Sequence, residues 1–171
     1  SASFYIWLSR LMDVQANEAY LDISCGRGEL IDYIRRGGVQ NIHGLDLSQS
    51  ALSYSYAVGT NDRLTTANSQ IMPYAANSFD VISNIGSLEN YVDMAAAVRE
   101  KARVLKPTGR AYILVPNTFS LLNNIWIAYR QGYTSYDPYQ PIQRYMARVE
   151  WHELLEENGL IVTDTIGYER P

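Results

Sequence analysis

The chain has 171 residues, 47% of them hydrophobic, with a formal net charge of −4 at pH 7 and a single cysteine. That length and apolar content suit one domain, residues 1–171, with a substantial core. They exclude an internal disulfide, and Cys25, His43 and His152 are too few and too scattered for a metal site. No long basic run is present, which sets aside a nucleic-acid partner.

The amino-terminal residues lack a basic stretch followed by an apolar one, so no secretory leader is expected, and residues 4–12 read as a helix. Residues 19–24 form the first strand candidate, ahead of the turn Cys25-Gly26-Arg27-Gly28. Residues 28–36 then carry Leu30, Ile31 and Ile34 on one helical face and stop at Gly37-Gly38. A second strand over 42–45 runs into Asp46, and Ser48 can cap a helix reaching to about residue 58. Short strands are expected at 64–67 and 79–83, the latter after an Asn77-Ser78 turn. Residues 93–105 show a helical period with Met94, Val98, Ala102 and Leu105 on one face, stopped by Pro107-Thr108-Gly109. A fifth strand covers 110–115, and Phe119, Leu122, Ile125, Trp126 and Tyr129 share a further helical face. Residues 111–129 carry no charge, but Pro116, Asn117, Asn123 and Asn124 interrupt them, so no membrane span is expected. Residues 132–146 read as loop, Trp151, Leu154 and Leu155 mark another helix closed by Gly159, and 160–168 read as a last strand.

Strands and helices alternate throughout, without repeats. This predicts an α/β fold: a doubly wound, Rossmann-like, mostly parallel sheet with helices on both faces. Ligands of such sheets bind at the carboxyl ends of the strands, near the reversal of strand order. Residues 24–28, Asp46, Asn68 and Asn84 all fall at or just past such ends. Gly26 and Gly28 permit a tight turn and leave no side chain between backbone and ligand. The helix behind them offers free N–H groups to an anionic group. Asp22 is an acid inside an apolar strand and needs hydrogen bonds there. Asp46, about twenty positions after the glycines, suits a ribose, or else caps the next helix.

The chain resembles the class I S-adenosylmethionine-dependent methyltransferases over nearly its whole length. The resemblance rests on five fragments in order: Leu21-Asp22-Ile23-Ser24-Cys25-Gly26-Arg27-Gly28; Gly44-Leu45-Asp46-Leu47-Ser48; Ala67-Asn68-Ser69-Gln70-Ile71-Met72-Pro73-Tyr74; Ser78-Phe79-Asp80-Val81-Ile82; and Ala102-Arg103-Val104-Leu105-Lys106-Pro107-Thr108-Gly109-Arg110. The later part is loosely similar to the methionine-biosynthesis protein W branch. The resemblance implies S-adenosylmethionine as cofactor, with S-adenosylhomocysteine as product. The acceptor stays open among a sugar, a small acid, a lipid-linked intermediate and a protein side chain, with the acidic pI and the tyrosines favouring a small molecule; the single cysteine and the interrupted apolar run suit a soluble, cytoplasmic chain. It also implies a cofactor site made of Asp22, Cys25, Gly26, Gly28, Asp46, Leu47, Asn68, Ser69, Asn84 and Ile85. Asp22 would steady the glycine turn and approach the methionine end, Asp46 would take the ribose hydroxyls, and Leu47 would pack on adenine. Asn68, where the family usually has aspartate, would accept from the adenine amino group through its carbonyl with Ser69 beside it. Asn84 and Ile85 would face the methionine part, Asn84 being otherwise a plain turn residue.

No general base is assigned. Cys25 reads as a packing residue without a histidine partner, His43 as strand packing and His152 as helix surface. The tyrosines at 129, 133, 136, 139 and 145 mark a lid or acceptor wall, or else packing over the sheet edge. The sheet is expected to stop short of the family's last antiparallel strand. Two other functions fit the same sequence: a non-catalytic binding or assembly protein, and a nicotinamide oxidoreductase. The second is disfavoured because Ile31 stands where a third glycine would admit a pyrophosphate.

Overall fold

The computed structural model of the chain describes residues 2–57, 63–117, 129–130, 142 and 144–168. The elements run α1 (Ala2–Met12), β1 (Ala19–Ile23), α2 (Glu29–Arg36), β2 (Asn41–Asp46), α3 (Gln49–Ala57), β3 (Arg63–Thr66), β4 (Phe79–Ile85), a short 3-10 turn (Leu88–Asn90), α4 (Met94–Val104), β5 (Leu105–Leu114) and α5 (Arg148–Glu157). The expected helix around Phe119 to Trp126, and most of the tyrosine-rich segment, lie outside the described residues.

The five strands are ordered β3-β2-β1-β4-β5, and every pairing is parallel. From β1 the chain steps outward through β2 to β3, then returns to lay β4 on the other side of β1. The reversal of strand order therefore lies between β1 and β4, and it leaves a crevice at their carboxyl ends.

β1 is buried along its whole length because both faces are covered. Its alternate side chains divide between two clusters. Tyr20 packs with Leu8 and Met12 of α1 and with Leu30, Ile31 and Ile34 of α2. Leu21 and Ile23 belong to the second cluster, with Met72, Ile82 and Val104. A third cluster joins Ala97 and Val98 of α4 to Leu88 and to Trp151 of α5. This is the sandwich of helices on both faces that the alternation predicts.

Ion pairs at the amino ends of the strands lock the sheet together. Asp80 accepts from Lys106 Nζ at 2.8 Å and from the Ala19 N–H at 2.9 Å. Glu18 takes both arms of Arg110 at 2.9 and 3.0 Å. These bonds hold the Asp80 and Glu18 carboxyls below the usual range. Glu100 accepts from Arg103 and from the Met72 N–H at 2.6 Å, and Arg103 reaches the Tyr74 carbonyl at 2.7 Å. The residues Asp80, Arg103 and Lys106 of the family fragments therefore serve the fold.

Two expectations are corrected. The buried face of α4 is Ala97, Val98, Lys101 and Val104, not Met94, Val98, Ala102 and Leu105. A lysine occupies the stripe because its long stem packs along apolar surface. Residues 160–168 form no strand: Ile161 is 86% exposed, and only Leu160 joins the clusters. Their β-branched composition suits a strand, but a strand exists only by pairing, and among the described residues the outer edge of β5 has no partner. A groove of about 770 Å³ runs there, lined by β5, by Phe4 and Trp7 of α1, and by Leu160, Ile166 and Tyr168.

Candidate functional site

The turn after β1 is built from left-handed residues. Ser24 has φ 59°, Gly26 φ 56° and Gly28 φ 80°. The Cys25 N–H extends the β1–β2 ladder to the Leu45 carbonyl at 3.0 Å, and the Gly28 N–H closes the turn on the Cys25 carbonyl at 2.9 Å. Gly28 is the N-cap of α2 and supplies no side-chain cap. The first N–H groups of α2 thus retain capacity for an outside acceptor. A Cβ placed on Gly26 would meet nothing within 4 Å, so the turn faces open space.

Asp46 and Asp22 flank this turn. Asp46 Oδ2 accepts from the Gly26 N–H at 2.8 Å and Oδ1 from the Ser48 N–H at 2.8 Å. Each oxygen keeps a second lone pair for a ligand. Ser48, not Asp46, caps α3, through its Oγ to the Ala51 N–H at 3.3 Å. Asp22 is buried and accepts from Ser83 Oγ at 2.6 Å, while Ser83 Oγ and Tyr20 Oη lie 2.7 Å apart. Burial pushes the Asp22 carboxyl up to about 7, against the lowering effect of the Ser83 bond, and the nearby charges of Asp46 and Glu29 add to the rise. Its bond runs to β4 rather than to the glycine turn.

The other expected residues are placed unevenly. Leu47 is 74% exposed at the end of β2, and Ser69 is buried. The Asn68 carbonyl, expected to accept from adenine, accepts from the Gln70 backbone N–H at 2.9 Å and from Gln70 Nε2 at 3.2 Å. Cys25 contributes only backbone to the turn. Its side chain lies in the α2-side cluster, and burial pushes its thiol upward. The Ile85 side chain packs against that same cluster. Asn84 is fully buried and donates to the Ile23 carbonyl at 2.9 Å, to Ser87 Oγ at 2.6 Å and to Tyr91 Oη at 3.1 Å.

Tyr91 is the residue that sequence reasoning missed. Its hydroxyl lies 2.7 Å from Ser24 Oγ and 3.2 Å from Ser87 Oγ, joining the turn after β1 to the segment after β4. Lys101 Nζ sits 4.9 Å over its ring, and burial lowers that ammonium to about 7. Arg144 donates to the main-chain carbonyls of Tyr91 at 2.5 Å and Glu89 at 3.3 Å. Asn117 and Met146 form an isolated parallel bridge, so the residues flanking 118–143 lie on this rim. The lysine was the available signal: a charge in an apolar helical stripe.

A model of the methyltransferase domain matches residues 21–113, the span from β1 to β5 that carries this crevice. The chain belongs to the methyltransferase-domain family. Its parallel sheet is the Rossmann-like sheet of the class I S-adenosylmethionine-dependent methyltransferase family. Over 128 residues it is 30% identical to the methyltransferase GfsG of Streptomyces halstedii, covering 71% of this chain and 46% of that protein. It is 31% identical over 132 residues to the demethylmenaquinone methyltransferase of Oceanobacillus iheyensis, covering 73% and 53%. The solved YcgJ protein of Bacillus subtilis superposes with a TM-score of 0.73 at 23% identity, covering 91% of this chain and 68% of that one. The chain spans about half the length of the curated relatives it matches.

The residues present suit the family's cofactor. The open face over Gly26, the uncapped start of α2 and the spare lone pairs of Asp46 match a carboxylate and a ribose diol. No helix among the described residues is long and apolar enough to cross a membrane, and no three acids, histidines or cysteines there gather into a metal site.

Proposed function

We propose that this chain binds S-adenosylmethionine at the carboxyl rim of β1, β2 and β4 and transfers its methyl group to a small-molecule acceptor. The observation that carries the reading is the Asp46–Gly26 bond of 2.8 Å, which sets an acid beside a bare, left-handed stretch of main chain. When bound, the cofactor supplies an electrophilic methyl group on a sulfonium leaving group.

The protein's work is then to bind, orient and exclude water. Asp46 accepts the ribose hydroxyls, and Leu47 covers one face of adenine with Asn68 and Ser69 at its edge. Gly26, Gly28 and the Cys25 backbone admit the methionine end, with Asp22 beneath it and the Asn84 and Ile85 backbone opposite. The name of the demethylmenaquinone relative points to a small organic acceptor, and the net charge of −4 argues against nucleic acid. A reduced, buried Cys25 accords with a cytoplasmic setting.

Titration calorimetry with S-adenosylhomocysteine tests the reading. Asp46→Ala is expected to weaken binding at least ~10-fold, the scale of losing charge-assisted hydrogen bonds. Equal affinity in a folded variant removes the ribose assignment. A non-catalytic binding protein is the second reading, favoured by the engaged Asn68 carbonyl. It predicts tight cofactor binding with no labelled methyl transferred to any cell-extract component.

A further inference from the structure

Three buried side-chain oxygens on one short segment have no hydrogen-bond partner among the described residues: Asn84 Oδ1, Glu89 Oε2 and Asn90 Oδ1. All three are acceptors. The segment leaves β4 at the reversal of strand order, where the crevice opens. It forms an arch, with Ser87 Oγ and Tyr91 Oη both on Asn84 and Tyr91 also on Ser24, the first residue of the glycine turn. Glu89 is the middle residue of the arch. It is only 7% exposed, and Arg144 holds its main-chain carbonyl in place.

A buried carboxylate oxygen without a donor among the described residues is costly, and a bound ligand can supply that donor. The acids that serve the fold show the contrast. Asp80 is met by Lys106, Glu18 by Arg110 and Glu100 by Arg103. Burial also raises the Glu89 carboxyl above its ordinary range, which strengthens it as a base.

We propose that Glu89 is the proton acceptor of the transfer, and that the methyl acceptor is a small molecule presenting an O–H or N–H group. This rests on the methyltransferase reading above. The acceptor's oxygen or nitrogen bonds to the methyl carbon, the carbon–sulfur pair stays on sulfur and neutralises it, and the acceptor's proton passes to the ionised Glu89 carboxylate. Asn90 Oδ1 offers a second acceptor beside it for a further donor on the same molecule.

The test uses two probes on the 171-residue chain. One is S-adenosylhomocysteine. The other is the amine analogue of the cofactor, in which a C–NH3⁺ group replaces the S⁺–CH3 group and so points a donor toward the acceptor side. Glu89→Gln is expected to bind S-adenosylhomocysteine within about twofold of wild type and the amine analogue about tenfold more weakly, since only the second meets the carboxylate. Equal weakening of both probes, or no change in their ratio, would make Glu89 a brace and overturn the proposal. If Glu89→Gln fails to fold, Glu89→Asp, which withdraws the charge by one carbon, is read against the same ratio. Failure of both probes to bind the wild type would sink the cofactor reading itself, and the proposal with it.

Discussion

Asp22 shows how the fold chooses the partner of a buried acid. As a carboxyl in an apolar strand it had to be hydrogen-bonded, but its donor, Ser83, is 61 positions away and becomes adjacent only through the β1–β4 register. Its folded pKa of about 7 lies above the unfolded value of ~4. The folded protein therefore holds this proton more tightly between those limits, and the group's contribution to stability falls as pH rises from ~4 to ~7. Asp22→Asn removes that loss. Urea titrations across this window should show the variant gaining on the wild type with rising pH, by up to ~4 kcal/mol in all, at about 1.4 kcal/mol for each pH unit crossed. Parallel curves would mean that Asp22 is ionised throughout. Lys101 is depressed to about 7 and is the same in both proteins, so its own titration cancels from the comparison.

β2 is held to its neighbours by a missing side chain. Gly44 pairs with Asp22 of β1 and Leu64 of β3. A Cβ there would lie 2.7 Å from Leu64 Cδ2, 2.8 Å from Ile31 Cδ1 and 3.0 Å from Cys25 Sγ. Gly44→Ala must displace three side-chain tips, one each from strand, helix and turn. It is expected to cost ~1–3 kcal/mol by denaturant unfolding and to weaken cofactor binding through Cys25. Unchanged stability would show that the α2–β2 packing yields easily. The period of α4 was legible in the sequence, but its buried face was not, because a count of apolar positions cannot see a lysine stem reaching inward to Tyr91.

Across the molecule, order should decline outward from β1. β1 is paired on both sides and buried on both faces, whereas β3 is an edge strand with exposed ends and residues 160–168 join no ladder. Amide hydrogen exchange should find β1 slowest, with protection approaching that of global unfolding, and residues 161–168 fast. Slow exchange over 161–168 would show a pairing on the β5 edge that these residues lack here. The two ends of the strands also divide their labour. Ion pairs stiffen the amino ends, while the carboxyl ends keep spare acceptors and bare backbone.

Strand and helix order as far as β5, the glycine turn and the placing of Asp46 and Asn84 near strand ends were legible from residue order, because periodicity, turn chemistry and helix stops are local properties of a chain. Which acids brace the fold was not. Asp80 meets Lys106, Tyr91 meets Ser24 across 67 positions, and Glu89 is buried with one carboxylate oxygen lacking a donor, all through strand register and helix packing. Those contacts join residues far apart in the chain, and burial is a property of the assembled whole, so only folding could assign them.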